Sequence, residues 1–197
     1  MPPLFPYVRK MIRKAEESDI EEILAVLGCY NFKVINALDG SPIDNDYTDT
    51  ITLYNQVSEI NLQNAFVALH DKKIVGFSHF KYLEKDTAKT TLIAVLPKYR
   101  KLGLGEKLQL ARMKEAHEKG YKKMVTFCET PATVNWYVKH FNYRILRSEP
   151  FYHRLHFFKL NDQTIWGVHY GSKEQKRLQV LTCNLEEFFK QRRPKNS

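Results

Sequence analysis

"VLPKYRKLGLGEKLQLARMKEAHEKG", residues 95–120, changes character halfway along. It opens as the end of an apolar strand, passes Pro97 and a basic run, sets Gly103 and Gly105 two apart, and continues as a charged helix. A helix N-terminus exposes unpaired N–H groups and carries roughly +0.5 charge, so it holds phosphate wherever the backbone can come close. Gly103 and Gly105 remove the Cβ atoms that would block that approach and permit unusual backbone angles. Arg100, Lys101 and Lys107 add diffuse positive charge, and Pro97 ends strand pairing and turns the chain outward. A pyrophosphate site is the economical reading. The plainer one is a tight strand-to-helix turn with a solvated basic rim. Two familiar phosphate loops are excluded. Gly105-Glu106-Lys107 lacks the spacing and the Ser or Thr of a Walker loop, and Leu108 stands where a dinucleotide fingerprint needs a third Gly or Ala.

Around this stretch the chain alternates strands and helices. "MIRKAEESDIEEILAVLGCY" predicts a short strand, then a helix capped by Ser18 with Glu21, carrying Ile20, Ile23, Leu24 and Leu27 at helical spacing and ending at Gly28. Residues 29–64, with "LDGSPIDNDYTDT", read as a long irregular connection. "AFVALHDKKIVGFSHFKYL" is two β-rich runs joined by a hairpin turn, and "TTLIAVL" is a third strand leading into the opening stretch. After Gly120 come the strand "YKKMVTFC", a helix with Thr130 as N-cap and Pro131 at its first position, and the strands "YRILRSEPF" and "HRLHFFKL". From residue 161, "TIWGVHYG" and "RLQVLTC" read as strands and "NLEEFFKQRR" as an amphipathic helix. This order predicts an α/β (α+β) fold: a mixed sheet with helices on its faces, one domain over 1–197, its core about 11–160 and an extension over 161–197 packed on that core.

Composition narrows the function classes. With 197 residues, one well-buried core is expected rather than two full domains. No apolar run approaches the ~20 residues of a membrane span, and "MPPLFPYVRKM" does not read as a secretory signal. Cys29, Cys128 and Cys183 are scattered and form no CxxC pair, which points to a reducing, cytoplasmic setting without a disulfide scaffold. The 31 Lys and Arg against 22 Asp and Glu give +9, favouring polyanionic partners such as phosphorylated cofactors, nucleic acid or an acidic protein. Nucleic acid is disfavoured, because the basic residues lack interleaved exposed aromatics.

Arg-x-x-Gly-x-Gly, here Arg100, Gly103 and Gly105 after the strand "AVLPKY", resembles the acyl-coenzyme A loop of the GNAT superfamily of N-acetyltransferases. The element order agrees over residues 11 to about 160. The resemblance implies acetyl-CoA as donor and a splayed strand whose backbone at Ile93, Ala94 and Val95 binds the pantetheine arm. It further implies a loop from Arg100 through Lys101, Leu102, Gly103, Leu104 and Gly105 to Glu106 that wraps the pyrophosphate. A second signature, an Asn-containing helix with a Tyr followed by Gly-Phe, is met by "ETPATVNWYVKHFNYRIL": Tyr137 is present and Asn142-Tyr143 replaces Gly-Phe. Thr130 stands in place of the usual Asn, with Asn135 nearer the Tyr, so cofactor contacts from both are expectations.

Acetyl transfer to an amine needs a group that takes the amine's proton, donors for the oxyanion and an acid for the thiolate. A Lys-like amine with a pKa of about 10.4 is neutral in roughly 1 molecule in 2,500 at pH 7. The main-chain N–H of Val95 is the oxyanion candidate, Tyr137 the acid, and Glu129 and Glu84 the candidate bases. Cys128 reads as a small buried hydrophobe rather than a nucleophile. His153 and His156, three apart in a strand, point to opposite faces, and with His169 they make no convincing metal site. Asp39, Asp44, Asp46 and Asp49 form an acidic patch suited to a cationic amine, or are a solvated loop. Trp166, Tyr170, Phe188 and Phe189 could cover an acceptor pocket or form a homodimer contact. The leading expectation is a cytoplasmic N-acetyltransferase acting by direct attack on a primary amine, in a small molecule or a peptide. The alternatives are an acyltransferase fed by an acyl-carrier protein, or a non-catalytic CoA binder of the same fold.

Overall fold

The computed structural model describes residues 10–27, 62–128, 130–150, 154–160, 163–169 and 177–192. The Asp39–Asp49 patch, Cys29, Glu129, His153 and Tyr170 lie outside the described residues. Strand β1 (Lys10–Lys14) leads through a short 3-10 turn into α1 (Ile20–Leu27). The cap falls two residues earlier than the sequence predicts. The Asp19 carboxylate, not the Ser18 hydroxyl, closes the turn, accepting from the Glu16 N–H at 2.8 Å and from both Arg13 Nη atoms at 2.6 and 2.8 Å. The carboxylate wins because it is charged and has an arginine to bind as well.

β2 (Ala65–His70) and β3 (Lys73–Glu84) form the expected hairpin, turning at Asp71 and Lys72, both at positive φ. β4 (Thr87–Val95) follows, then α2 (Leu104–Glu118), β5 (Lys123–Cys128), α3 (Pro131–Phe141) and β6 (Arg144–Pro150). Among the described residues β7 (Arg154–Leu160) and β8 (Gln163–His169) pair only with each other, and β9 (Arg177–Asn184) and α4 (Leu185–Arg192) follow. α3 is capped as its sequence demands: Thr130 Oγ1 accepts from the Thr133 N–H at 3.2 Å, Pro131 sits at the start, and Asn142 ends it in the left-handed conformation.

Seven strands form one sheet in the order β1-β2-β3-β4-β5-β9-β6. Every neighbouring pair is antiparallel except β4 and β5, which run parallel. β9 thus enters between β5 and β6, placing Arg177–Asn184 inside the main sheet. One face is covered by α2, α3 and α4 over Phe80, Leu108, Met113, Met124, Phe141 and Leu181; the other by α1 over Val67, Ile74, Phe77 and Ala94. Burial of these side chains, worth about 1.5–3 kcal/mol each before entropy is counted, holds the helices to the sheet. Among the described residues no helix is long and apolar enough to cross a membrane.

Candidate active site

The parallel pairing of β4 and β5 is short. It joins Thr87 to Lys123, Ala88 to Met124 and Lys89 to Val125, and stops there. β4 runs on to Val95 and β5 to Cys128, so the two strands part in the middle of the sheet. Thr90 marks the point of parting, its hydroxyl donating to the Val125 carbonyl at 3.4 Å.

Register decides which main-chain groups face the opening. The Leu96 N–H donates to the Val75 carbonyl at 2.9 Å, and Phe77 lies opposite Ala94 in the same register. Hydrogen-bonded pairs alternate in an antiparallel ladder, so Ala94 turns its N–H and C=O to β3, while those of Ile93 and Val95 point the other way, toward the opening. Of the three strand residues named for this role, Ile93 and Val95 are brought to the gap. Arg100 arches back so that its Nε donates to the Val95 carbonyl at 3.0 Å, tying the basic loop to the end of the strand.

The loop itself is wound by two left-handed residues, Lys101 at φ 63° and Gly103 at φ 76°. Gly103 is the N-cap of α2, and among the described residues, its chain neighbours aside, no atom lies within 4 Å of the position a Cβ would take there. The first bond of the helix runs from the Lys107 N–H to the Gly103 carbonyl at 3.2 Å, so the amides of Leu104, Gly105 and Glu106 have no acceptor inside the helix. A Cβ on Gly105 would lie 3.8 Å from the Trp136 ring, which brings α3 beside the same N-terminus. Open space, bared amides and three cationic side chains are the chemistry a diphosphate requires, and the site fits such a group.

Beyond the parting point β4 carries a bulge: Phe80 pairs with Thr90 and Ser78 with Ile93, so Thr91 and Leu92 together face His79. A fully buried arginine on α2, Arg112, grips this bulge. Its Nη1 donates to the Leu92 carbonyl at 2.8 Å and the His79 carbonyl at 3.4 Å, its Nε to Gln109 Oε1, and its Nη2 to the Tyr137 hydroxyl oxygen at 2.7 Å. Gln109 Nε2 donates in turn to the Tyr143 hydroxyl at 3.2 Å, whose burial holds its own proton well above the ordinary tyrosine range. No carboxylate takes part in these bonds; the guanidinium is held by neutral oxygens alone. Because Arg112 supplies the donor, the Tyr137 hydroxyl oxygen is an acceptor in this bond and its own hydrogen is directed elsewhere.

Other candidates fall apart spatially. Glu84 is exposed beside the β3–β4 turn, opposite Thr87, at the end of β4 away from the opening, and is not brought to the site. Asn135 is exposed on α3, and the Thr130 hydroxyl is engaged in capping. Cys128 is buried at the end of β5. Among the described residues no group of three or more His, Cys, Asp or Glu side chains could hold a metal. Arg112, Gln109 and His79 were not singled out from sequence. The signal lay in the helical stripe Leu104, Leu108, Arg112, Ala116, in which one member of an otherwise apolar row is charged.

Residues 61–157 match the acetyltransferase (GNAT) domain family. No curated protein sequence matches the chain. Solved structures share the fold at low identity. The ribosomal-protein-S18-alanine N-acetyltransferase from Escherichia coli is 13% identical with a TM-score of 0.62, covering 90% of this chain and 94% of its own. Ard1 from Thermoplasma volcanium is 15% identical with a TM-score of 0.60, covering 89% and 97%. YncA, a putative acetyltransferase from Salmonella typhimurium solved with its cofactor acetyl-CoA, is 17% identical with a TM-score of 0.58, covering 90% and 94%.

Proposed function

Since the chain belongs to the GNAT acetyltransferases, we propose that it transfers an acetyl group from acetyl-coenzyme A to a primary amine by direct attack of the amine. The observation that carries this reading is the parting of β4 from β5 after Lys89 and Val125, beside a glycine-wound helix N-terminus. Bound acetyl-coenzyme A supplies an acetyl group activated as a thioester. The amides of Lys101–Glu106 hold its diphosphate, Arg100 and Lys107 screen the charge, and Ile93 and Val95 meet its arm along the open edge of β4. The Val95 N–H, pointing into the gap, stabilises negative charge developing on the carbonyl oxygen. Tyr137 delivers a proton to the departing sulfur from the α3 side, with Arg112 fixing its oxygen.

Titration calorimetry with acetyl-coenzyme A, followed by thiol release across a panel of amines, tests the reading. Binding with turnover on at least one amine is expected, and Tyr137→Phe lowers the rate by about 100-fold or more while leaving acetyl-coenzyme A affinity in place. Absence of binding, or full turnover by Tyr137→Phe on every amine, would refute the respective assignment.

A further inference from the structure

His79 is the one buried side chain among the described residues whose polar atom, Nε2, has no hydrogen-bond partner. Buried polar atoms are almost always satisfied, and each exception calls for a physical reason. The other ring nitrogen is well held: Nδ1 lies 2.6 Å from Thr91 Oγ1. Thr91 spends its single hydroxyl hydrogen on the His79 carbonyl, at 3.1 Å. Toward the ring it can therefore only accept, so Nδ1 carries the hydrogen and Nε2 a bare lone pair. Burial, reinforced by the charges of Arg112 on α2 and Lys81 on β3, lowers the imidazole pKa to about 4, which keeps that lone pair unprotonated at neutral pH.

The place of this lone pair matters. Side chains alternate along β3: Ser78 bonds the Leu108 carbonyl on the α2 side, so His79 projects with Phe77 to the α1 side. Thr91, its anchor, is exposed, while His79 itself is 3% exposed. The same bulge is held from the opposite side by Arg112, which reaches the His79 and Leu92 carbonyls and the Tyr137 hydroxyl. An acid and an unprotonated base thus flank one irregularity of β4, one on each face of the sheet.

We propose that His79 is the group that takes the acceptor's proton, its Nε2 receiving it as the amine nitrogen bonds to the acetyl carbon. The proposal rests on the acetyl-transfer reading. An amine N–H turns more acidic once the nitrogen lone pair is committed to the new N–C bond, which lowers the basicity required of the group that receives the proton. The C–S bond breaks, the sulfur takes its proton from Tyr137, and exchange with solvent returns one proton to Tyr137 and removes one from His79. The products are an amide and a free thiol, with atoms and charge in balance.

The test is His79→Ala alongside the parent protein. Expected are an acetyl-coenzyme A Kd within about twofold of the parent and kcat lower by about 100-fold or more. Added imidazoles should restore the rate in order of their basicity. His79→Gln, which keeps much of the ring's volume, should be as slow as His79→Ala though better folded. The inference is overturned if either variant turns over at the parental rate, if acetyl-coenzyme A affinity falls in step with kcat, or if rescue is indifferent to basicity. A parent that releases no thiol with any amine overturns the acetyl-transfer reading and this inference with it, whereas an active parent with an equally active His79→Ala sinks the inference alone.

Discussion

Gly103→Ala isolates what the loop requires of its backbone. At φ 76° a side chain is disfavoured by about 1–2 kcal/mol, and with no atom of the described residues, chain neighbours aside, within 4 Å of the new Cβ, strain rather than collision makes up the cost. Two outcomes divide that cost. If the loop keeps its shape in the free protein, the strain falls on folding, offset by about 0.4–1 kcal/mol from the stiffer unfolded chain. The net is about 1 kcal/mol, or a melting temperature lower by about 2–4 °C for a chain of this size. If the loop relaxes instead, stability is spared and the cost reappears when the diphosphate winds it back, weakening acetyl-coenzyme A binding by about 5- to 30-fold. Calorimetric unfolding and calorimetric titration on the same variant catch both. Gly105→Ala is the control, since that residue has no positive φ and its Cβ would make only an ordinary 3.8 Å contact with Trp136; its melting temperature should hold or rise. Gly103→Ala with both melting temperature and affinity unchanged would refute the reasoning.

Gly76→Ala tests the packing of α2 on the sheet. Its Cβ would stand 3.1 Å from the Ala94 carbonyl and from Leu108, and 3.2 Å from Ala68, so a loss of about 1–3 kcal/mol is expected in denaturant unfolding. Arg112→Leu strands the acceptors that now share one guanidinium. Stability should fall by about 2 kcal/mol or more, read from urea midpoints, with the Tyr137 hydroxyl loosened as well. The Arg13 hydrogen bonds, ahead of an opposing burial effect, hold the Asp19 carboxyl below the usual carboxylate range. A depressed folded pKa contributes stability above the unfolded value of about 3.9 and loses it as pH falls through the folded one, so Arg13→Leu should flatten the drop in unfolding midpoint below about pH 4.

The stretch from Val95 to Gly120 was legible because its signals are local: a proline, two glycines and a helical period specify strand end, loop and helix with no help from the rest of the chain. The β2–β3 hairpin and the Thr130-Pro131 helix start were legible for the same reason. The insertion of β9 between β5 and β6 was not, since strand order is set by pairings across the fold and leaves no trace in either strand's own residues. The cap at Asp19 was missed because Arg13, six residues upstream, biases the choice of carboxylate over hydroxyl. In the sequence Arg112 and Gln109 are simply members of a charged helix. They form a buried polar network because the β4 bulge offers them carbonyls, and a bulge is a property of two strands together. His79 sits in "FSHF", where residues of both faces are buried, so alternation gave no hint of its exceptional nitrogen.

The three-pair seam between β4 and β5 leaves the protein with an unfinished ladder. Strand edges ordinarily lie at the rim of a sheet; here the parting lies in its middle, away from another chain's edge. A ligand that lies along β4 completes the lattice as a surrogate strand, and the half-sheets on either side should then breathe less independently. Amide exchange at the far ends of β4 and β5 is therefore where occupancy should be felt first, ahead of any change at the seam itself.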